Sequence, residues 1–265
     1  MVKFCPIEEY NLIGSARGIT QMEISGKRIV TIIGELHDKE FECMNNITIY
    51  DYCLKRANEN KKCRFLFEFE PNRTNNFNRI GSKIIRDVFA GEDNIVKKRS
   101  TGVDIRLDIL SMLQQQYLYN NSQGFSMKYD ITRADGMEAL KKDYVKSYRN
   151  DVQKDPEQTM CSENLSNYGK SLDKLFYGLK KQGELTRDDL KWAWSKLMDY
   201  NVIWEMTRKD NDVDEIIVVL GENHRSNIYE IMKEWKRDCV ILSNQYGGKR
   251  GNCVEVSNLK TVCKN

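Results

Sequence analysis

A chain of 265 residues can bury a substantial core as one domain, or as a domain carrying a sizeable insertion, without cross-links to hold it. Its 31% charged residues and net charge of +3 describe a mixed surface without the concentrated positive field of an electrostatic nucleic-acid binder, so no nucleic-acid partner is expected. No run approaches the ~20 apolar residues that span a bilayer, and the residues from Met1 to Glu9 lack the apolar stretch of a secretory signal. A soluble, cytoplasmic protein with no membrane span is therefore expected, and in that setting its eight cysteines stay reduced. Cys5, Cys43, Cys53, Cys63, Cys161, Cys239, Cys253 and Cys263 contain no C-x-x-C pair of the kind structural zinc uses, and several sit in apolar runs as small buried hydrophobes. Their even number leaves a disulfide framework open if the protein works in an oxidising place.

In chain order, Ile19 to Ile24 and Arg28 to Ile33 read as strands, being rich in β-branched residues and joined by Ser25-Gly26-Lys27, short enough for a hairpin. Phe41 to Asn58 has a helical pattern. Arg64 to Glu70 alternates aromatic and charged residues before Pro71 and reads as a third strand, Lys83 to Ala90 as a helix, Gly102 to Ile105 as a strand and Leu107 to Tyr119 as a helix. From about Leu107 to Asp210 helix formers dominate. Strands follow at Glu215 to Leu220 and Asp238 to Ser243, separated by a helix at Ser226 to Lys236 whose Ile228, Ile231, Met232 and Trp235 share one face. A weaker strand, Cys253 to Val256, follows the glycine-rich turn at Gly247 to Gly251.

The runs Ile29 to Ile33 and Ile216 to Leu220 are almost continuously apolar, which suits central strands covered on both faces. The expected architecture is α/β: a mostly parallel central sheet with flanking helices and a helical insertion. Residues 1–106 and 211–265 would form the α/β core, and 107–210 a helical insertion or cap.

The chain has two histidines, and each closes the same tetrad after the same kind of apolar strand: Gly34-Glu35-Leu36-His37 and Gly221-Glu222-Asn223-His224. A glycine at a strand's carboxyl end permits a sharp turn or a close backbone approach, and in open α/β sheets ligands bind in the crevice beyond those ends. In extended backbone each Glu and His, two residues apart, would project from one side, about 6 to 7 Å apart. One histidine near a strand end is ordinarily a satisfied structural residue. Two in the same arrangement point to a site, with His37, His224, Glu35, Glu68 and Glu222 as candidate ligands of Zn, Mn, Fe or Co. The same groups suit acid and base work near neutral pH.

Two further strand ends add polar groups. Glu68 and Glu70 share a face, and a carboxylate within so apolar a strand is costly unless paired, which makes Glu68 a candidate ligand or base; the alternative is an exposed edge-strand face. Asp104 and Arg106 lie two apart, and Arg106 is placed to hold an anionic substrate or a developing oxyanion, or else a structural salt bridge. Arg225, near a helix start, is a second candidate anion contact. Nucleophile elbow, P-loop, dinucleotide fingerprint and His-Glu-x-x-His are absent from the sequence.

Gly-Glu-Leu-His at one strand end, Phe-Glu-Phe-Glu at a second and Gly-Glu-Asn-His at a late third resemble the superfamily of erythromycin esterases, TraB and Tiki proteins and haem-binding ChaN-like lipoproteins. With Val103-Asp104-Ile105-Arg106 the pattern also looks like members encoded by large DNA viruses. The resemblance implies an α/β core with its site at the sheet's carboxyl edge, some members being considered metal-dependent proteases, others ester hydrolases using His and Glu, others haem binders. It carries over to Glu35 and His37, to Glu68 or Glu70, and to His224. The additional histidines of the esterase pattern are missing here, which argues against the esterase substrate.

The expected function is thus a hydrolase of amide or ester bonds, working on a peptide or small molecule with a divalent metal such as Zn, Mn or Co, through Glu35, His37, Glu68, His224 and Arg106. The alternative is a non-catalytic virion or minor capsid component that keeps the enzyme fold and binds other virion proteins. Haem binding ranks last.

Overall fold

The computed structural model describes residues 4–6, 12–14, 16–35, 46–69, 83–90, 94–104, 156–181, 187–210, 212–247, 253–255 and 259–262. These belong to two compact units, one of residues 1–103 with 209–265 and one of residues 104–208. His37, Glu70 and Arg106, and the helix expected at Leu107 to Tyr119, lie outside the described residues.

In the first unit the chain forms β1 (Phe4–Pro6), β2 (Leu12–Gly14), β3 (Ala16–Ile24) and β4 (Arg28–Glu35). β5 (Asn46–Thr48), α1 (Ile49–Glu59), β6 (Cys63–Phe67), α2 (Lys83–Ala90), α3 (Ile95–Lys98) and β7 (Ser100–Gly102) follow. In the second unit α4 (Ser162–Lys181) and α5 (Arg187–Thr207) follow a 3₁₀ turn at Pro156–Gln158. The chain then returns to the first unit with β8 (Glu215–Gly221), α6 (Glu222–Glu234), β9 (Cys239–Tyr246), β10 (Cys253–Glu255) and β11 (Lys260–Val262).

The fold is α/β, built on a six-stranded sheet of order β7-β6-β8-β4-β3-β9. β7, β6, β8 and β4 run parallel, and β3 is antiparallel to both its neighbours. The two apolar runs are indeed adjacent central strands: every residue of β4 and β8 is buried. β3 and β4 form the expected hairpin, turning through Ser25 and Gly26, both with positive φ. β1 pairs with β11, and β10-β2-β5 make a three-stranded sheet.

Side chains alternate across each strand, so each face of the sheet meets a different helix set. Ile19, Ile33, Phe65, Phe67, Ile217 and Val219 form one core with Tyr52, Cys53 and Ala57 of α1 and with Ile84, Ile85 and Val88 of α2. Thr48 starts α1 by accepting the Asp51 N–H at 3.0 Å. The buried face of α1 also carries Arg56, whose Nε and Nη2 donate to the two oxygens of buried Glu215 at 2.9 and 2.7 Å, at the amino end of β8. The opposite sheet face, with Thr20, Met22 and Ile32, is covered by α6 through Arg225, Ile228 and Met232.

Several boundaries differ from expectation. The helix predicted from Phe41 begins at Ile49, because Asn46–Thr48 is taken up in strand pairing with β2. The strand expected to reach Glu70 stops at Phe67, where Phe69 N–H turns back to Phe67 O at 2.8 Å. The strand predicted at Gly102 to Ile105 ends at Gly102, and α6 starts at Glu222 rather than Ser226. β9 runs on to Tyr246, three residues past the predicted end.

In the second unit α4 and α5 pack through stacked Tyr168 and Tyr200, ring centroids 5.6 Å apart, and an antiparallel bridge joins Thr159 to Arg208. Among the described residues no helix is long and apolar enough to cross a membrane. Cys53, Cys63, Cys161 and Cys239 are free and buried, as expected of small hydrophobes. Cys253 is disulfide-bonded, so the expectation of uniformly reduced thiols fails there.

Candidate functional site

β4 and β8 are parallel neighbours, and the next helix along the chain after each packs on a different face of the sheet, α1 on one and α6, which follows β8 directly, on the other. Divergence of this kind opens a crevice at the strand ends, the usual ligand position in α/β sheets. Glu35, the last residue of β4, is in register with Gly221, the last of β8, and is buried. On the other side of β8, Glu68 directly follows β6, and its N–H donates to Val219 O at 3.2 Å. Three adjacent strands thus bring Glu35, Glu68 and the second tetrad to one edge.

The second tetrad is not extended. Gly221 ends the strand and Glu222 begins the helix, so Glu222 and His224 are separated by about 200° around the helix axis. The expected projection of both side chains from one side is overturned here. Glu222 turns towards β4 and β3, while His224 turns towards β6.

His224 Nε2 lies 3.8 Å from Glu68 Oε1, and both side chains are 8% exposed. The other carboxylate oxygen, Oε2, accepts the Gly221 N–H at 2.6 Å. Glu68 is therefore held by the backbone at the positive end of α6, with its Oε1 towards the imidazole. Its alternative reading, an exposed edge-strand residue, does not apply, since β6 lies between β7 and β8.

Glu222 has a different partner. Its two oxygens accept Arg225 Nε at 2.8 Å and Nη2 at 2.6 Å, and Ser226 Oγ lies 3.1 Å from Oε1. Arg225 Nη1 reaches Asn244 Oδ1 at 2.7 Å and Thr20 Oγ1, and Nη2 reaches Ser226 Oγ at 3.3 Å. The Tyr246 ring covers the guanidinium, 4.5 Å from its centroid. Every nitrogen of Arg225 is thereby engaged and the side chain is fully buried, so it does not serve as the anion contact suggested by its position near a helix start.

Two glycines make this arrangement sterically possible. A Cβ at Gly34 would fall 2.0 Å from Glu222 Oε2 and 3.1 Å from Arg225 Cδ, and one at Gly18 would fall 2.7 Å from Arg225 Nε. A bulge completes it. Between Ile241, paired with Met22, and Ser243, paired with Gln21, Leu242 is an extra residue in β9. Side-chain alternation shifts phase there, so Asn244 and Tyr246 join Cys239 and Ile241 on the α6 face.

Burial opposes the charge on Arg225, yet Glu222 and Tyr246 together outweigh it and raise its pKa. In return the hydrogen bond from Arg225 holds the Tyr246 phenol below the usual tyrosine range. Tyr246, Thr20, Asn244 and Ser226 were not legible as site residues. The Glu222-x-x-Arg225 spacing was the available signal, and it acquires meaning only if the helix begins at Glu222.

Asp104 is buried and follows β7 by two residues, outside any strand. As for metal, two ligands of one ion with bonds of ~2.1 Å lie within about 4 Å of each other, and the Glu68 and His224 atoms meet that limit. Among the described residues no three His, Cys, Asp or Glu side chains gather to hold an ion.

The fold is that of an open α/β sheet, a class in which ligands bind beyond the carboxyl ends of the strands. No family model, curated protein or solved structure matches it.

Proposed function

We propose that this chain is a hydrolase of amide or ester bonds, acting on a peptide or small molecule at Glu35, Glu68 and His224, with His37 and Arg106 as the further candidates from the sequence. The observation that carries the reading is the buried Glu68 carboxylate, pinned by the Gly221 N–H and facing His224 Nε2 at 3.8 Å at the carboxyl end of the sheet. Its likeness at four strand ends to the erythromycin esterase, TraB, Tiki and ChaN-like superfamily, including members from large DNA viruses, supports the same reading.

Glu68 orients the His224 ring through its Nε2 side and balances the positive charge that forms when the other ring nitrogen, Nδ1, takes a proton from attacking water. His224 then returns that proton to the leaving nitrogen or oxygen. Arg106 would stabilise the oxyanion between the two steps. A divalent cation such as Zn, Mn or Co, held by His224, Glu68, Glu35 and His37, would supply a more acidic water.

The test is hydrolysis of a panel of activated esters and peptides, with and without Zn, Mn or Co, by the wild type, Glu68→Gln and His224→Ala. Turnover that falls about 10²–10⁴-fold in both variants fits the acid–base assignment. No turnover under any condition would remove the hydrolase reading. Metal content decides the cation separately: equal content in wild type, His37→Ala and His224→Ala sinks that part.

One observation favours the second reading, a non-catalytic virion component binding other virion proteins: His224 is 6% exposed and Glu68 scarcely more. Absence of turnover together with the chain's presence in purified particles would establish it.

A further inference from the structure

His224 lies in the first turn of α6, and Gly221, which caps that helix, offers no side-chain hydrogen bond to hold its start in place. Besides the bond from Gly221 N–H to Glu68, the side chain that ties the turn to the sheet is Arg225. It is tied to Glu222 within the turn, to Thr20 on β3 and to Asn244 on β9, and is covered by Tyr246. Gly18 and Gly34 leave the space it fills, and the Leu242 bulge brings the β9 groups to it. A buried guanidinium with every nitrogen engaged, on three chain segments, resists both rotation and sliding of the helix end.

We propose that the Glu222–Arg225 pair is a positioning clamp, which sets the rotation of α6 about its axis and thereby holds the His224 imidazole facing Glu68. Glu222 and Arg225 act through His224 and touch no reacting atom. This differs from the metal-ligand and anion-contact roles that their sequence positions suggest. It rests on the proposed site but is separable from hydrolysis.

The test exploits the scarcity of histidine. In a His37→Ala background the only imidazole NMR signals come from His224. The clamped ring gives one narrow set of signals with cross-relaxation to the Glu68 side chain. Arg225→Met, and the milder Glu222→Gln in case the first unfolds, should broaden or multiply those signals and weaken the Glu68 contact at least twofold, while circular dichroism stays native. Arg225→Lys should restore them only partly, since lysine lacks the fork that engages Glu222 with two donors. Unchanged His224 signals in a folded Arg225→Met or Glu222→Gln protein would overturn the clamp. A wild type that turns over no ester or peptide would count against the proposed function and leave this result standing.

Discussion

Gly34 is the residue at which the site tolerates least change. Alanine there would place a methyl group 2.0 Å from Glu222 Oε2, with the α6 backbone at 3.0 Å leaving little room to retreat. Gly34→Ala should cost about 1–3 kcal/mol in urea denaturation, the usual range for overpacking, or more if the helix must move. Tyr246 offers an optical reporter. Its phenol, more than half exposed, titrates below the ordinary range through its hydrogen bond with Arg225, so absorbance near 295 nm should show one tyrosine ionising ahead of the rest. Tyr246→Phe should abolish that first step. Because the folded pKa is the lower one, ionised Tyr246 favours the fold fully above the unfolded value of ~10 and loses that contribution as pH falls through the folded value. The strand-end positions of Glu35, Glu68 and His224 were legible in the sequence because apolar runs mark where the strands stop, while His37 lies outside the described residues. The partner choices of Glu222 and Arg225 were not, since they depend on a helix start and a bulge that no local pattern marks.

At the scale of elements, the fixed join between α1 and β8 is the buried pair of Arg56 and Glu215, with Asn60 Nδ2 adding a bond to Glu215 Oε2 at 2.9 Å. Arg56→Ala strands a carboxylate that is 1% exposed and should cost about 3–5 kcal/mol by chemical denaturation. Replacing both partners, Arg56→Met with Glu215→Leu, should recover most of that loss, because apolar residues of similar volume need no charge partner. Strands β4 and β8 were legible because continuous β-branched runs have few other uses. Three-residue strands such as β1, β2 and β11 were not, since so short a segment carries no period and forms only where another part of the chain offers an edge.

Across the whole molecule, the α/β class followed from alternating strand and helix patterns, whereas the order β7-β6-β8-β4-β3-β9 did not, because β8 enters the sheet between strands made over a hundred residues earlier. Thiol chemistry gives a global check on that packing. Burial raises the pKa of Cys53 and Cys63, with Glu215 adding to the effect, and pushes Cys239 up to about 12. A thiol reagent at neutral pH should therefore leave these three unmodified until the protein unfolds, and Cys253 until it is reduced. Leu242 has the widest reach for a single residue. Straightening β9 with Leu242 retained, so that it paired opposite Gln21 in uninterrupted alternation, would turn Asn244 and Tyr246 away from Arg225, whereas deleting it would leave them facing the guanidinium. A straightened strand would keep the sheet and lose the outer anchor of the helix end, so the bulge acts as a gear tooth: it transmits the phase of an edge strand to a histidine two strands beyond its neighbour.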